Sequence, residues 1–244
     1  MVGAQSRAPG RAGEGGARRN EAGAETRTRL LDAAERLFAT RGLDAVSVRD
    51  ITVEAGANTA AIHYHFGSKP DLIEAIVQRR AGVLGTRRTE LLDELETEGD
   101  VTLPAVVRAM ILPTAEMADD GAGGRHYVAF LAALGDHPEV IPTLASAYDA
   151  YTDRFWRLLV HLTPDLPDDV RHLRWSIAKD LVNRLLGDPT GQVHQWLERH
   201  SPGADADLVG SLTDIIVGMF EAPVTAAPQR RTGTRAERGG HGTS

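Results

Sequence analysis

The residues with the clearest chemical potential lie close together between positions 47 and 69. Ile62 and Phe66 are four residues apart, so on a helix they share one face and can anchor it to a core. The opposite face then carries small and polar side chains, a composition that lets a helix approach the base edges of a major groove. These side chains are Thr59, Ala60, His63 and Tyr64, with Asn58 placed to cap the helix. The pattern predicts contact with phosphates or bases.

A lysine and a capping serine border this face. Lys69 stands at the start of the following helix, where its charge and the free amides of the helix N-terminus would both favour a phosphate. Because a helix N-terminus disfavours an isolated cation, we interpret Lys69 as a phosphate ligand rather than a solvated lysine. Ser47 has the residue type that caps helices, and it precedes Val48 and Ile51 of a short helix.

The helix that carries these exposed side chains must be held in place by neighbouring helices. The apolar periodicity of residues 26–66 predicts three helices in all. Apolar residues recur at helical spacing over Thr26–Arg41, which predicts the first helix. The second begins at Ser47 and closes at Gly56, which can adopt the positive φ of a sharp reversal. Two short helices joined by a tight turn beneath a longer one predict a helix-turn-helix. We place its motif at about 47–66, within a domain over 25–84.

The remainder of the chain is also predicted to be helical. Few alternating β-branched runs and no βαβ rhythm follow residue 88, so the expected fold class is all-α. The glycine-rich residues 121–124 follow a helix rather than a strand and indicate a flexible connection. Helices are expected at Leu103–Ala118, Arg125–Leu134, about Glu139–Leu162, Asp168–Gly187, Gln192–His200 and Asp205–Phe220. Residues 1–24 and 223–244 lack apolar periodicity, and we expect a disordered arm and tail there.

Charge is divided unevenly along the 244 residues, whose formal net charge is −7. Residues 1–88 carry 14 lysines and arginines against 10 acidic residues, whereas residues 89–244 carry 13 against 24. This asymmetry indicates that only the N-terminal part meets a polyanion. Arg27 and Arg29 can add contacts to a nucleic-acid backbone or belong to a solvated arm.

Several other kinds of protein are disfavoured. The chain has no cysteine, which excludes disulfides and thiolate sites and favours the cytoplasm. Neither a secretory signal nor a membrane span is expected. His63 and His65 would point to different sides of a helix, so no metal site is expected. The acidic run over 90–100 lacks apolar surroundings that would shift a pKa, and no metalloprotease, serine-hydrolase or phosphate-loop motif occurs. We therefore expect neither an enzyme nor a cofactor.

The region from about Glu25 to Leu84 resembles the DNA-binding region of the TetR family of transcriptional regulators. The resemblance is carried by Leu30-Leu31, Ala34, Leu37-Phe38, Gly42, Ser47, Ile51, Ala55-Gly56 and the run Ile62-His63-Tyr64-His65-Phe66-Gly67-Ser68-Lys69. It implies a three-helix DNA-binding module followed by a divergent helical domain that dimerises and often binds an inducer. It also implies that DNA faces Ser47, Arg49, Asn58, Thr59, Ala60, His63, Tyr64 and Lys69.

The sequence departs from the family pattern at three positions. His63 stands where the family usually has Tyr, Ala60 where it has Gly, and Thr52 where it has Ala. His63 can still donate to a phosphate, with a charge that depends on pH near neutrality. Ala60 adds a methyl group that can meet a thymine methyl. The family pattern therefore does not predict the operator sequence.

Aromatic and polar-tipped side chains are concentrated on the middle helices of residues 85–222. A ligand pocket is mainly apolar with a few placed polar groups, so these side chains are candidates for lining one, although aromatics at helical spacing more often form plain core. The candidates are His126, Tyr127, Phe130, Tyr151, Phe155 and Trp175. The apolar stripes of 168–187 and 205–220 suit the pairing of the last two long helices with their twins, as the resemblance implies, and would also suit an internal core.

These inferences predict a homodimeric regulator that binds double-stranded operator DNA and has no membrane partner. The expected sense is repression, with an unidentified small-molecule inducer that releases the protein from its operator. The domain over 85–222 would carry the inducer and dimer sites. The alternative is a helical ligand-binding or protein-interaction module without sequence-specific DNA binding, in which Lys69 and Arg49 could be lost without effect on binding.

Overall fold

The computed structural model describes residues 12–135, 137–188, 190–202 and 207–225. No strand occurs in these ranges, which confirms the all-α prediction, and no helix in them is both long and apolar enough to span a bilayer. The helices are α1 (Ala12–Arg41), α2 (Val48–Glu54), α3 (Thr59–His65), α4 (Lys69–Glu98), α5 (Leu103–Asp119), α6 (Gly121–Leu134), a 3-10 turn (Pro138–Val140), α7 (Ile141–Leu162), α8 (Asp168–Gly187), α9 (Gln192–His200) and α10 (Leu208–Glu221).

The first three helices pack around the apolar side chains that the periodicity singles out. Leu30, Ala34 and Phe38 form the inner face of α1 and have no exposed surface. Ile51 of α2 and Ile62 of α3 are equally buried. Full burial of a side chain the size of isoleucine contributes about 1.5–3 kcal/mol. The burial of Ile62 in this core therefore fixes the position of α3.

Helix α1 is longer than the sequence analysis predicts. It begins at Ala12 rather than near Thr26, so residues 12–24 of the expected disordered arm are helical. Alanine, glutamate and arginine are good helix formers, and adding turns to an anchored helix avoids the cost of nucleation. The glycines of this stretch do not outweigh those two effects. Residues 1–11 and 226–244, the rest of the expected arm and most of the expected tail, lie outside the described residues.

Helix α4 joins the N-terminal module to the rest of the chain. Ser68 caps its start by accepting a hydrogen bond from the Asp71 amide at 3.3 Å, and Gly99 ends it with a φ of 76°. Between them the helix runs without a break through position 84, where the sequence analysis places a domain boundary. Leu72 near its start belongs to the core of the N-terminal module, whereas Leu92 belongs to a second core.

The second core lies among α4, α5, α7, α8 and α10. Phe155 and Trp175 are among its large members, with ring centroids 6.1 Å apart. Helix α6 packs against α1 on one side and against α8 on the other. Phe130 of α6 stacks on Phe38 of α1, with 6.0 Å between ring centroids. The C-terminal helices therefore contact the first helix directly.

The glycine-rich junction between α5 and α6 is helical, so the expectation of a flexible connection is wrong. Gly121 turns the chain with a φ of +72°. A Cβ on Gly124 would lie 1.8 Å from the carbonyl oxygen of Met117. Because only glycine permits this approach, the residues that suggested flexibility instead allow two helices to meet at a tight angle.

Candidate nucleic-acid interface

Helix α2 begins with a reciprocal cap. The Ser47 hydroxyl oxygen accepts a hydrogen bond from the Asp50 amide at 3.2 Å, and the Asp50 carboxylate accepts one from the Ser47 amide at 2.8 Å. Hydrogen bonds from the hydroxyl and the amide of Ser47 lower the pKa of Asp50. Arg49, in the first turn, remains exposed. The cap thus fixes the backbone that carries Arg49.

The turn between α2 and α3 is tight and internally bonded. Gly56 has a φ of +60°, and the Ala57 amide donates to the Thr52 carbonyl at 2.8 Å. The side-chain oxygen of Asn58 then accepts from the Ala61 amide at 2.9 Å and caps α3. These contacts give the turn that the sequence predicts, and they fix the residue at which α3 begins.

Helix α3 buries one edge and leaves the other exposed. Ile62 is fully buried, whereas Tyr64 is 84% exposed. Five of the residues predicted to face DNA are exposed on α3 or at its cap: Asn58, Thr59, Ala60, His63 and Tyr64. A large aromatic side chain with a hydroxyl at its tip suits contact with a partly polar partner. Thr59 and Ala60 are small enough for the helix backbone to come close to that partner.

The two histidines of α3 have different surroundings. His63 Nδ1 bonds to the Gly67 carbonyl at 2.9 Å, so in the neutral ring Nδ1 carries the proton and Nε2 is an acceptor. Protonation would turn Nε2 into a donor. His65 is half-buried, and its ring lies edge-on to Tyr64 with 4.9 Å between centroids. In the described part of the chain, no group of three or more histidine or carboxylate side chains is arranged to hold a metal ion.

Lys69 is directed into the protein instead of toward a phosphate. Its Nζ donates to the carbonyl oxygens of Leu43 at 2.5 Å and Val46 at 2.8 Å, both in the segment between α1 and α2. It also lies 5.5 Å from the centroid of the Phe38 ring. Two carbonyl acceptors hold this ammonium against the protein, which argues against the predicted phosphate contact. Lys69 ties the start of α4 to the segment that precedes α2.

Two arginines of α1 lie beside the helix-turn-helix. The Arg27 guanidinium is 5.0 Å from the ring centroid of Phe66, just after α3. The Arg29 guanidinium lies close to Gly56: its Nη1 is 4.0 Å from the position that a Cβ on Gly56 would occupy. Both arginines are exposed. Helix α1 therefore positions two positive charges next to the turn, where the sequence analysis left open a solvated arm.

The candidates for a ligand pocket fall into two groups. Tyr127, Phe130 and Phe155 have no exposed surface and Trp175 has 7%, as core residues do. His126 and Tyr151 remain partly exposed. Desolvation lowers the pKa of His126, against the opposing effect of the Glu35 carboxylate.

A polar group around Tyr151 escaped the sequence analysis. The Arg88 guanidinium of α4 donates to the Tyr151 hydroxyl at 2.7 Å and to the Thr114 hydroxyl at 3.0 Å. Arg88 lies four residues from buried Leu84 and four from buried Leu92, so helical periodicity places it on the buried face of α4. This spacing could have indicated a buried polar group, since an arginine on an apolar stripe needs hydrogen-bond partners inside the protein.

Helices α8 and α10 keep part of their apolar stripes on the surface. Leu173 and Ile177 of α8 are 60% and 47% exposed, and Ile215 of α10 is 55% exposed. Other residues of the same helices, among them Trp175 and Ile216, are buried in the second core. The stripes serve an internal core in part, and each of the two helices keeps exposed apolar members on its own surface.

Two family models match the chain. The model described as bacterial regulatory proteins of the tetR family matches residues 30–76. The model described as a tetracyclin repressor-like C-terminal domain matches residues 108–219. The first match includes the turn and all of α3, and the second extends from within α5 into α10.

Curated proteins similar to the chain are transcriptional regulators by name. The chain is 32% identical over 95 residues to the HTH-type transcriptional regulator TtgR of Pseudomonas putida, a match that covers 39% of this chain and 43% of TtgR. It is 46% identical over 52 residues to the HTH-type transcriptional repressor KstR2 of Rhodococcus jostii, which covers 21% and 26%. The chain thus spans less than half the length of these relatives.

A solved structure shares the fold over most of the chain. The fatty acid degradation regulator FadR from Bacillus halodurans superposes with a TM-score of 0.50 at 14% identity, over 80% of this chain and 95% of that one. At this identity the likeness concerns the fold alone. The two family matches, one on the helix-turn-helix and one on the helices that follow it, carry the assignment. The chain belongs to the TetR family of bacterial regulatory proteins.

Proposed function

We propose that this chain is a sequence-specific DNA-binding transcriptional regulator that represses its target genes. The observation that carries the proposal is the exposed edge of α3, a short helix capped by Asn58 and anchored by buried Ile62. Its exposed Tyr64 contacts only the neighbouring His65 ring among the described aromatic contacts. TtgR and KstR2, named a regulator and a repressor, support both the activity and its sense.

The residues of this edge divide into readers of sequence and ligands of the backbone. Thr59 and Ala60, small and at the N-terminal end of α3, would meet base edges in the major groove. Tyr64 and His63 offer hydrogen-bonding groups to phosphates or bases. Exposed Arg49 supplies charge, which gives affinity for any DNA and makes it dependent on salt. Ser47 holds the helix that carries Arg49, and Lys69 acts from inside the protein.

The regulator acts as a homodimer joined through α8 and α10. Leu173 and Ile177 of α8 and Ile215 of α10 are exposed apolar side chains on two helices that contact each other, and a second copy of the chain would offer the same side chains in return. A two-fold axis between the copies would present two α3 helices to successive major grooves, about 34 Å apart along the DNA. The operator would then be a pseudo-palindrome.

The C-terminal helices bind a small-molecule inducer that releases the repressor from DNA. Such a ligand must prefer the conformation that cannot hold the operator, because binding both conformations equally shifts nothing. The chain works by binding rather than by catalysis, in the cytoplasm. The partly exposed Tyr151 and the polar group around it mark the region where an inducer would bind.

Selection of bound fragments from a random duplex pool at near-physiological salt tests the proposal. We expect a pseudo-palindrome that binds at least about a thousandfold more tightly than random DNA. A pool without an enriched motif, together with binding that disappears at modest salt, would favour a ligand-binding or protein-interaction module instead.

Matched variants assign the roles within the interface. Changing Thr59→Val should alter the selected sequence, whereas Arg49→Gln should weaken binding to all duplexes and leave the selected sequence unchanged. Arg108→Gln is the control, since Arg108 is an exposed arginine of α5, away from the helix-turn-helix. If Arg108→Gln weakens binding as much as Arg49→Gln does, the effect is one of total charge and the assignment of Arg49 fails.

A further inference from the structure

Two arginines of α1 carry positive charges that no carboxylate of the described residues neutralises. Arg27 and Arg29 are both exposed, and none of the ion pairs among these residues includes either of them. Asp32 and Glu35, the next carboxylates along the same helix, pair instead with Arg79 of α4. The two guanidinium groups are therefore available to an anion outside the protein.

Both guanidinium groups lie next to α3, one near each of its ends. Arg29 Nη1 is 4.0 Å from the position that a Cβ on Gly56 would occupy, in the turn that precedes α3. The Arg27 guanidinium is 5.0 Å from the ring centroid of Phe66, the residue that follows α3. Helix α3 thus has an exposed cation beside its start and another beside its end.

Contacts within the module hold both side chains in place. The Arg27 guanidinium lies over the Phe66 ring in a cation–π contact. Arg29 Nη2 donates to the Thr26 hydroxyl at 3.3 Å, and that hydroxyl donates to the Ala22 carbonyl at 2.8 Å. Both arginines lie well inside α1, away from a helix end that would fray. Because a guanidinium has five N–H groups, each keeps most of its donors for an external acceptor.

The size of a major groove decides which part of DNA these arginines meet. An α-helix with its side chains is about 10–12 Å across, and the major groove of B-DNA is about 12 Å wide. A helix seated in the groove fills it, so only side chains on its own exposed edge reach the bases. Groups beside the helix face the phosphate backbones that border the groove. Since Arg27 and Arg29 lie beside α3, phosphates are the partners within their reach.

We propose that Arg27 and Arg29 bind phosphates of the operator and make α1 a second DNA-binding element beside α3. The inference deepens the proposed function and rests on it, because it requires the exposed edge of α3 to enter the groove. Each guanidinium donates two N–H hydrogen bonds to the oxygens of a phosphate. Phosphate contacts carry no sequence information, so the two arginines raise the affinity for every duplex and leave the preferred sequence to α3.

Titration of the full chain with a random duplex at several salt concentrations tests the proposal. Arg27→Gln and Arg29→Gln should each lower the slope of log affinity against log salt by about 1 for each bound protomer. Between about 50 and about 200 mM salt, each variant should then lose roughly threefold to fourfold less affinity per protomer than the wild type loses. The sequence selected from a random pool should stay the same. A wild-type slope in either variant, or a changed selected sequence, overturns the proposal.

Two further variants separate a local charge from total charge and from packing. Arg36→Gln is the matched control, since Arg36 is an exposed arginine of the same helix that pairs with Glu54, and it should keep the wild-type slope. Arg27→Lys should also keep most of the slope, because lysine still offers a cation to the phosphate. An equal fall in Arg36→Gln would make the effect one of net charge. A fall in Arg27→Lys as large as in Arg27→Gln would mean that Arg27 acts by packing on Phe66, and either result contradicts the assignment.

Neutral phosphates in a selected operator locate the contacts. Each phosphate that borders a half-site is replaced in turn by a methylphosphonate, which removes its charge. The wild type should lose affinity at the phosphates that the protein contacts. Arg27→Gln should become insensitive at one of these positions and Arg29→Gln at a different one. Profiles identical to that of the wild type in both variants would show that α1 contacts no phosphate.

The regulator and the α1 contacts fail in different ways. An enriched operator, together with wild-type salt slopes in Arg27→Gln and Arg29→Gln, keeps the regulator and removes α1 from the interface. Lower slopes in both variants without any enriched operator keep the α1 contacts and remove sequence-specific regulation. Both proposals stand only if an operator is enriched and each variant weakens binding to operator and random duplex by the same factor.

Discussion

Replacement of Lys69 by methionine should destabilise the protein and leave its salt-dependent affinity for DNA unchanged. Lys69 makes two charged hydrogen bonds, to Leu43 at 2.5 Å and to Val46 at 2.8 Å. Each contributes about 1.5–3 kcal/mol, and about 2 kcal/mol of side-chain entropy returns when the ammonium is no longer held. Methionine can still cover the Phe38 ring with a flexible apolar chain. These contributions give a net loss of about 1 to 4 kcal/mol, with a midpoint of about 2.5 kcal/mol.

Urea unfolding at fixed protein concentration and a thermal melt measure that loss. For a chain of this length, the expected change corresponds to a melting temperature lower by roughly 5 to 10 °C. Affinity for a random duplex, titrated at several salt concentrations, measures the number of phosphate contacts. Lys69→Met should give the wild-type slope of log affinity against log salt. Arg49→Gln should lower that slope by about 1 and shift the free energy of unfolding by no more than about 0.5 kcal/mol.

The opposite pair of results would refute the reasoning. If Lys69→Met melts with the wild type and lowers the salt slope by about 1, Lys69 contacts a phosphate and the two carbonyl bonds do not hold it in solution. Circular dichroism at the temperature of the DNA titration shows that the variant is folded when its affinity is measured. The melting temperature and the salt slope together then distinguish a Lys69 ammonium bonded to backbone carbonyls from one bonded to a DNA phosphate.

Three further predictions concern the interior, the dimer and pH. Glu35→Gln should lower the free energy of unfolding by about 3 kcal/mol, because Glu35 is 2% exposed and its bond to Arg79 at 2.5 Å would lose its charge. Asp32→Asn, at the exposed end of the same network, should cost less than about 1 kcal/mol, and equal urea midpoints for the two variants would contradict this. Ile177→Glu should produce monomers in light scattering, since it places a charge on the apolar surface of α8; a stable dimer would remove α8 from the interface. Burial lowers the pKa of His126 from 6.5, so folding favours the neutral ring and stability is lost as pH falls from 6.5 through the folded pKa. His126→Asn should lack that loss, and stability curves that stay parallel through this window would show that His126 does not cause it.

The elements that the sequence predicts well are those that local signals define. Helices α8 and α9 begin and end where predicted, because proline or glycine borders them and helix formers fill them. The turn before α3 follows from Gly56 and Asn58 for the same reason. The exposed edge of α3 follows from the spacing of Ile62 and Phe66. Each of these inferences needs only residues within one turn of one another.

The features that the sequence analysis missed depend on distant partners. Lys69 is bonded to carbonyl groups 23 and 26 positions earlier in the chain, so its neighbours in sequence give no hint of its role. Arg88 meets Tyr151, 63 positions later, for which only its place on an apolar stripe gave a signal. The early start of α1 reflects the low cost of extending an anchored helix, which residue-by-residue composition does not register.

Helix α4 runs without a break from Lys69 past Arg88, so a tilt of the helix at Arg88 displaces its N-terminal end. Nineteen residues separate Arg88 from Lys69, which at 1.5 Å per residue is an arm of about 28 Å. A pivot of about 5° at Arg88 would swing the other end by roughly 2.5 Å. In a two-fold dimer the two ends move in opposite directions, so their separation changes by about 5 Å against a groove repeat of about 34 Å. A ligand that tilts α4 by this amount would therefore move both α3 helices out of register with successive major grooves.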